Sequence, residues 1–194
     1  MRERWDGECD PLLALRGGDA GPFEEFVRAE SSGLIGFFLR LGADPLEAED
    51  LAQDVFLKLF RGASAYEPRS RFSSFVLRVA RNAWIDRRRR RAARVSAVSL
   101  DDESGSPNAT ANAVVDPRAA SPSELEADED RRRLEVALRQ LPEAHATVLE
   151  LALGQSLPYS EIASLLEIPV GTVKSRVFNA LRKLRELLEE PARD

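Results

Sequence analysis

The stretch YSEIASLLEIPVGTVKSRVFNAL, Tyr159 to Leu181, decides the fold. Ile162, Ala163, Leu165 and Leu166 recur at helical spacing and predict one packed helix face. Ile168 and Pro169 form a turn. Val173, Val177, Leu181, Leu184 and Leu188 then predict a second helix with a long apolar stripe. Two such helices across a short turn, with small Ala163 where they cross, read as a helix-turn-helix. Glu167 stands at a turn position where glycine is common. Either it takes a costly left-handed conformation or the turn differs. The other side of the second helix carries Thr172, Lys174, Ser175, Arg176, Phe178 and Asn179, and no acid occurs from 171 until Glu186. Such a surface suits a DNA major groove, where side chains meet base edges and phosphates.

N-terminal to this motif, Val98 to Asp130 is rich in Ser, Asp, Asn, Ala and Pro and has no sustained apolar period, which predicts an extended acidic linker. Before the linker the chain reads as helix again. Phe23, Phe26 and Val27 begin an apolar stripe, and 34–41 is strongly apolar. Asp44, Pro45 and Glu47 form a helix start: a capping carboxylate, a proline at the first position, and an acid three residues after the cap. Leu51, Val55, Phe56, Leu59 and Phe60 follow as a buried stripe, while Glu47, Asp50 and Asp54 share another side with Gln53 beside them. A further helix places Phe72, Phe75, Val76, Val79, Ala80 and Ala83 inward and runs directly into five arginines, Arg87 to Arg91.

The net charge of −5 hides this block. Residues 61–94 hold 11 arginines against Glu67 and Asp86, net +9, whereas 1–60 carry −7, 95–130 carry −8 and 131–194 carry +1. Concentrated positive charge is a phosphate-binding surface, because neutralised phosphates release counterions; a solvated helix end is the plain alternative. Tyr66, Phe72, Phe75 and Trp84 lie around the block. Aromatics among arginines suit stacking on unpaired bases, and the same rings fit a core. With Cys9 the sole cysteine and His145 the sole histidine, no internal disulfide forms, and neither a structural zinc site nor nucleophile–histidine catalysis is expected. His145 reads as a helix-surface residue. No apolar run approaches a membrane span, and the N-terminus lacks a signal-peptide core, so a cytoplasmic location is expected.

Three stretches together resemble the extracytoplasmic-function group of bacterial sigma factors. AEDLAQDVFLKLF resembles region 2.2, FSSFVLRVARNAWIDRRRR regions 2.3 and 2.4, and the span from Leu141 to Leu188 region 4. The resemblance implies an all-α chain of two small helical domains: a region 2 bundle at 10–94 and a region 4 helix-turn-helix at 131–190. A flexible acidic linker at 95–130 would join them. It implies a factor that binds core RNA polymerase, directs promoter-specific initiation and assists melting, with no catalysis, cofactor, metal or membrane insertion of its own. Glu47, Asp50, Gln53 and Asp54 would meet the β′ clamp helices, and region 4 the β flap. Tyr66, Phe72, Arg78, Arg81, Asn82, Trp84, Arg87, Arg88 and Arg91 would hold the −10 element, with a base pocket near 63–71. Thr172, Lys174, Ser175, Arg176, Phe178 and Asn179 would read the −35 element. Relatives often have Arg where Asn179 stands. An anti-sigma partner is the usual inhibitor in the family, and the linker either threads the polymerase channel in place of RNA or is a solubilising tether. A stand-alone helix-turn-helix regulator, binding a symmetric operator unaided, is the alternative.

Overall fold

The computed structural model describes residues 5, 7–68, 70–98 and 122–189, all helices, turns and loops with no strand among them. Helices α1 (Pro11–Arg16), α2 (Gly21–Arg40), α3 (Pro45–Gly62) and α4 (Phe72–Val98) form the first group. The second comprises α5 (Pro122–Arg139), α6 (Glu143–Leu149), a π turn at Glu150–Gly154, α7 (Tyr159–Leu166) and α8 (Val170–Glu189). Residues 99–121 of the expected linker lie outside the described residues. The stretch from Pro122 to Asp130 was expected to be extended but belongs to α5: its proline sits at the helix start, where the missing N–H costs nothing.

Local signals explain the starts and stops. The Asp44 carboxylate accepts the Glu47 amide at 2.9 Å, and Pro45 opens α3 as expected. Asp10 caps α1 in the same way through Leu12 at 2.9 Å. Helix α2 ends at Arg40, and two residues on Gly42 takes a φ of +95° that only glycine adopts freely. Glu167 takes the left-handed conformation, φ 56° and ψ 42°, so the turn keeps its usual shape around an unusual residue.

Packing in the first group centres on Phe26, which has no exposed surface. Its ring meets Trp5, Phe56 and Phe72 edge-on at centroid distances of 5.6, 5.7 and 4.9 Å. The Trp5 indole N–H donates to the buried Glu30 carboxylate at 3.0 Å. Leu51, Val55, Phe56 and Leu59 complete the core as expected. Phe60 does not: it is 54% exposed, on the outer side of α3, with its ring 5.9 Å from that of the buried Phe23. In the second group Ile162, Ala163, Leu165, Leu166, Val173 and Val177 are buried, joined by Val148, Leu151 and Ala180. Leu184 and Leu188 are half-buried, while Leu181 is 44% exposed and the buried stripe passes through Ala180 instead.

The two groups touch. Arg40, at the end of α2, donates through Nε and Nη2 to the two Glu150 oxygens at 2.6 and 2.9 Å. Phe26→Ala should cost about 3–5 kcal/mol, since it leaves a cavity at the centre of four rings, and urea unfolding measures it. Glu167→Gly removes a left-handed penalty of about 1–2 kcal/mol at a small entropic cost; it should raise the melting temperature by circular dichroism.

Candidate nucleic-acid interface

Helix α3 buries Ala48, Leu51, Ala52, Val55 and Leu59, which turns positions 46, 50, 53, 57 and 60 to the opposite side. Asp50 and Gln53 are exposed there, and so are Leu46 (76%), Leu57 and Phe60. An apolar stripe threaded with acids on a helix's outer side is unusual for plain solvent and usual for a protein interface. Leu46 and Leu57 are candidates the sequence reading did not name; their signal is a second apolar spacing at the angle of Asp50 and Gln53, away from the core stripe. Asp54 and Glu47 flank it on the side of α4. Arg87 lies at 4.0 Å from both carboxylates, a partly exposed arrangement worth little in stability.

Helix α4 begins as core and ends as charge. Ser73, Ser74, Val76, Leu77, Ala80, Ala83 and Trp84 are buried, and Arg89 to Arg91 are exposed. This corrects three assignments. Phe72 is 1% exposed against Phe26, so no base can stack on it. Tyr66 is buried, its hydroxyl donating to Asp10 at 2.7 Å and its ring against Phe75 at 4.9 Å. Trp84 is buried, with the Arg88 guanidinium 5.8 Å above its ring. Each ring was needed to close the core around an otherwise charged helix. Arg78 is half-buried with its Nε shielded from solvent, and Arg87 turns to α3 rather than outward. The cationic surface that remains open consists of Asn82, Arg89, Arg90 and Arg91, with Arg81 half-buried beside them. Of the loop expected to form a base pocket, Ala63 is buried in a short 3-10 turn and Arg69 lies outside the described residues.

The start of α4 faces the second group. Glu161 of α7 accepts from Ser74 at 3.2 Å and pairs with Arg71 at 3.4 Å. Glu143 of α6 lies 3.8 Å from Arg88. Between the groups, a cavity of about 550 Å³ is lined by Trp84, Arg88, Arg91 and Arg139, with Glu47 at its edge.

Helix α8 offers the second cationic surface. Lys174, Ser175 and Phe178 are exposed, Phe178 by 68%; Thr172, Arg176 and Asn179 are half-buried along the same side. Ser175 donates to the Thr172 carbonyl at 3.0 Å. Lys174 and Arg176 have no ion partner among the described residues, whereas Arg182 and Lys183 share Glu186. The early turns of α8 therefore keep unneutralised charge, and nothing described covers them. His145, expected on a helix surface, is half-buried in α6 with its Nδ1 shielded. Among the described residues no group of His, Cys, Asp and Glu is arranged to hold a metal, and no helix is long and apolar enough to cross a membrane.

Comparison with known proteins converges on one family. Residues 26–94 match Sigma-70 region 2 and residues 137–186 match Sigma-70 region 4. The chain is 30% identical to the RNA polymerase sigma factor CarQ of Myxococcus xanthus, over 91% of this chain and 94% of that protein. It is 33% identical to the ECF RNA polymerase sigma factor SigL of Mycobacterium tuberculosis, over 79% and 81%. Among solved structures, the sigma factor RpoE of Bartonella quintana, in complex with the anti-sigma factor NepR, superposes with a TM-score of 0.66 at 23% identity, covering 87% of this chain and 97% of that one. CnrH, in complex with the cytosolic domain of CnrY, gives the same score at 18% identity, covering 95% and 100%. At those identities the structures speak for the fold, and the sequence matches carry the assignment: the chain belongs to the extracytoplasmic-function family of RNA polymerase sigma factors.

Proposed function

We propose that this sigma factor divides its work among three surfaces. The outer side of α3, with Leu46, Asp50, Gln53, Leu57 and Phe60, docks on the β′ clamp helices of core polymerase, with Asp54 and Glu47 at the rim. Its apolar members supply contact area, and its acids supply orientation and encounter rate. The open end of α4, with Asn82 and Arg89 to Arg91 and with Arg81 beside them, holds the −10 strand through phosphate contacts. Arg88 joins them when it is released from Glu143. The face of α8 with Lys174, Ser175, Phe178 and Asn179, and with Thr172 and Arg176 alongside, reads the −35 element as duplex. The observation that carries the reading is the pairing of one mixed apolar-acidic face with two separate cationic helices.

Two domains, the first ending with α4 at Val98 and the second beginning with α5 at Pro122, belong to the same reading, with the acidic segment between them as the linker. So does a second polymerase contact, region 4 against the β flap. The chain performs no catalysis of its own; bond formation stays with the polymerase, and the site of action is the cytoplasm. An anti-sigma protein that covers the α3 and α4 surfaces would silence it, as the anti-sigma factor NepR bound to the similar RpoE structure suggests. A stand-alone operator-binding regulator accounts for α8 but leaves the α3 face without a use.

In vitro transcription with core polymerase, followed by mapping of transcript starts, tests the proposal as a whole. Transcripts that start at the same places with and without the chain would sink it. Asp50→Arg with Asp54→Arg should weaken core binding tenfold or more, about 1.4 kcal/mol, as read by co-migration with core. Lys174→Ala with Asn179→Ala should alter the ranking of −35 variants, each lost base contact costing about 1–3 kcal/mol; equal ranking would remove the assignment of α8.

A further inference from the structure

One residue on the open side of α8 carries a hydrogen-bonding pattern that its neighbours lack. Buried Val173, Val177 and Ala180 fix the rotation of the helix. Thr172, Ser175 and Asn179, spaced by three and four, then share one side of it. The Ser175 hydroxyl gives its proton to the Thr172 carbonyl at 3.0 Å, so it turns only acceptor capacity outward. Lys174 and Arg176 are donors alone, and Phe178 is apolar. Of these six residues, Asn179 alone sets a donor and an acceptor side by side on one planar group.

That group is free. Asn179 is half-buried, yet its carboxamide makes no hydrogen bond among the described residues, and neither of its polar atoms is sealed from solvent. The cations one turn further on, Arg182 and Lys183, lie 3.9 and 3.6 Å from Glu186, on the far side from Asn179 along the helix. The side chain is short, so the backbone of α8 must come close to whatever it reads. Small Ser175, one turn earlier and about 6 Å along the axis, permits that approach.

Base edges in a major groove divide sharply against such a fork. Adenine presents its N7 acceptor beside its N6 amino donor; guanine presents two acceptors, cytosine an amino donor, and thymine an acceptor beside a methyl group. Against adenine, Oδ1 accepts from N6 while Nδ2 donates to N7, and both amide atoms are satisfied. Against guanine, whichever way the amide is turned, its oxygen meets another acceptor after losing its water, which is costly. No contact within the described chain fixes the turn of the amide, so the base decides it.

We infer that Asn179 is the adenine-selecting residue of α8, its carboxamide pairing with N6 and N7 of one adenine in the −35 duplex. The inference deepens the proposed function and rests on its assignment of α8 to the −35 element. It sets Asn179 apart from Lys174 and Arg176, whose donors suit phosphates and guanine.

Transcription of a library randomised across the −35 region, by core polymerase carrying this chain, tests it. Wild type should favour adenine about tenfold at one position, Asn179→Arg should move the preference there to guanine, and Asn179→Ala should flatten it. Placing 7-deazaadenine at that position, where a C–H replaces N7, should lower wild-type transcription about fivefold and make no difference to Asn179→Ala. No adenine preference in wild type, one that survives in Asn179→Ala, one that ignores the change to arginine, or indifference to the missing N7 would overturn the assignment. Transcription that responds to no base in the region would instead sink the reading of α8 itself, and the adenine contact with it.

Discussion

One helix has to be core and cation at once, and that constraint organises the molecule. From Phe72 to Trp84 the inner side of α4 is buried against α2 and α3. From Arg87 onward it has no apolar side chain larger than alanine until Val95. Because the helix is continuous, the buried half fixes the rotation of the charged half at about 100° per residue. Successive arginines are therefore sent to different neighbours: Arg87 to the acids of α3, Arg88 to Trp84 and Glu143, Arg89 and Arg90 to solvent. Five identical residues acquire at least three roles from geometry alone.

That division explains what could be read without coordinates. Periodicity revealed α3, α4, α7 and α8 and the apolar parts of α2, though not α1 or α6, and capping chemistry located the start of α3 at Asp44 and Pro45. Both signals are local, so a linear text contains them. The helix-turn-helix was legible for the same reason, although whether Glu167 turns left-handed or the turn differs was left open until the structure showed it left-handed.

The misreadings are equally specific. Tyr66, Phe72 and Trp84 lie near arginines in the chain, but their rings complete a core in which Asp10, Phe26 and Phe75 are the partners. Proximity in sequence said nothing about which side of the helix they share. Phe60 and Leu181 fit an apolar spacing and are nevertheless exposed, while Leu59 and Ala180 beside them are buried: each lies one residue, about 100°, round from the buried stripe. The pairs Arg40–Glu150 and Arg71–Glu161 join residues about 90 to 110 positions apart, a relation that no spacing rule reaches.

Asp10 does two jobs with one carboxylate, capping α1 and holding the Tyr66 hydroxyl, while Arg16 on the same helix donates to the Tyr66 carbonyl at 2.9 Å. With Trp5 and Leu12 also sealed into the interior, Trp5 and α1 act as a hem stitched to the loop that introduces α4. A fragment trimmed to begin where the region 2 match begins, at Phe26, would lose that hem and expose the aromatic interior along one side. The start of the region 2 match and the start of the packed helical unit are therefore different places in this chain.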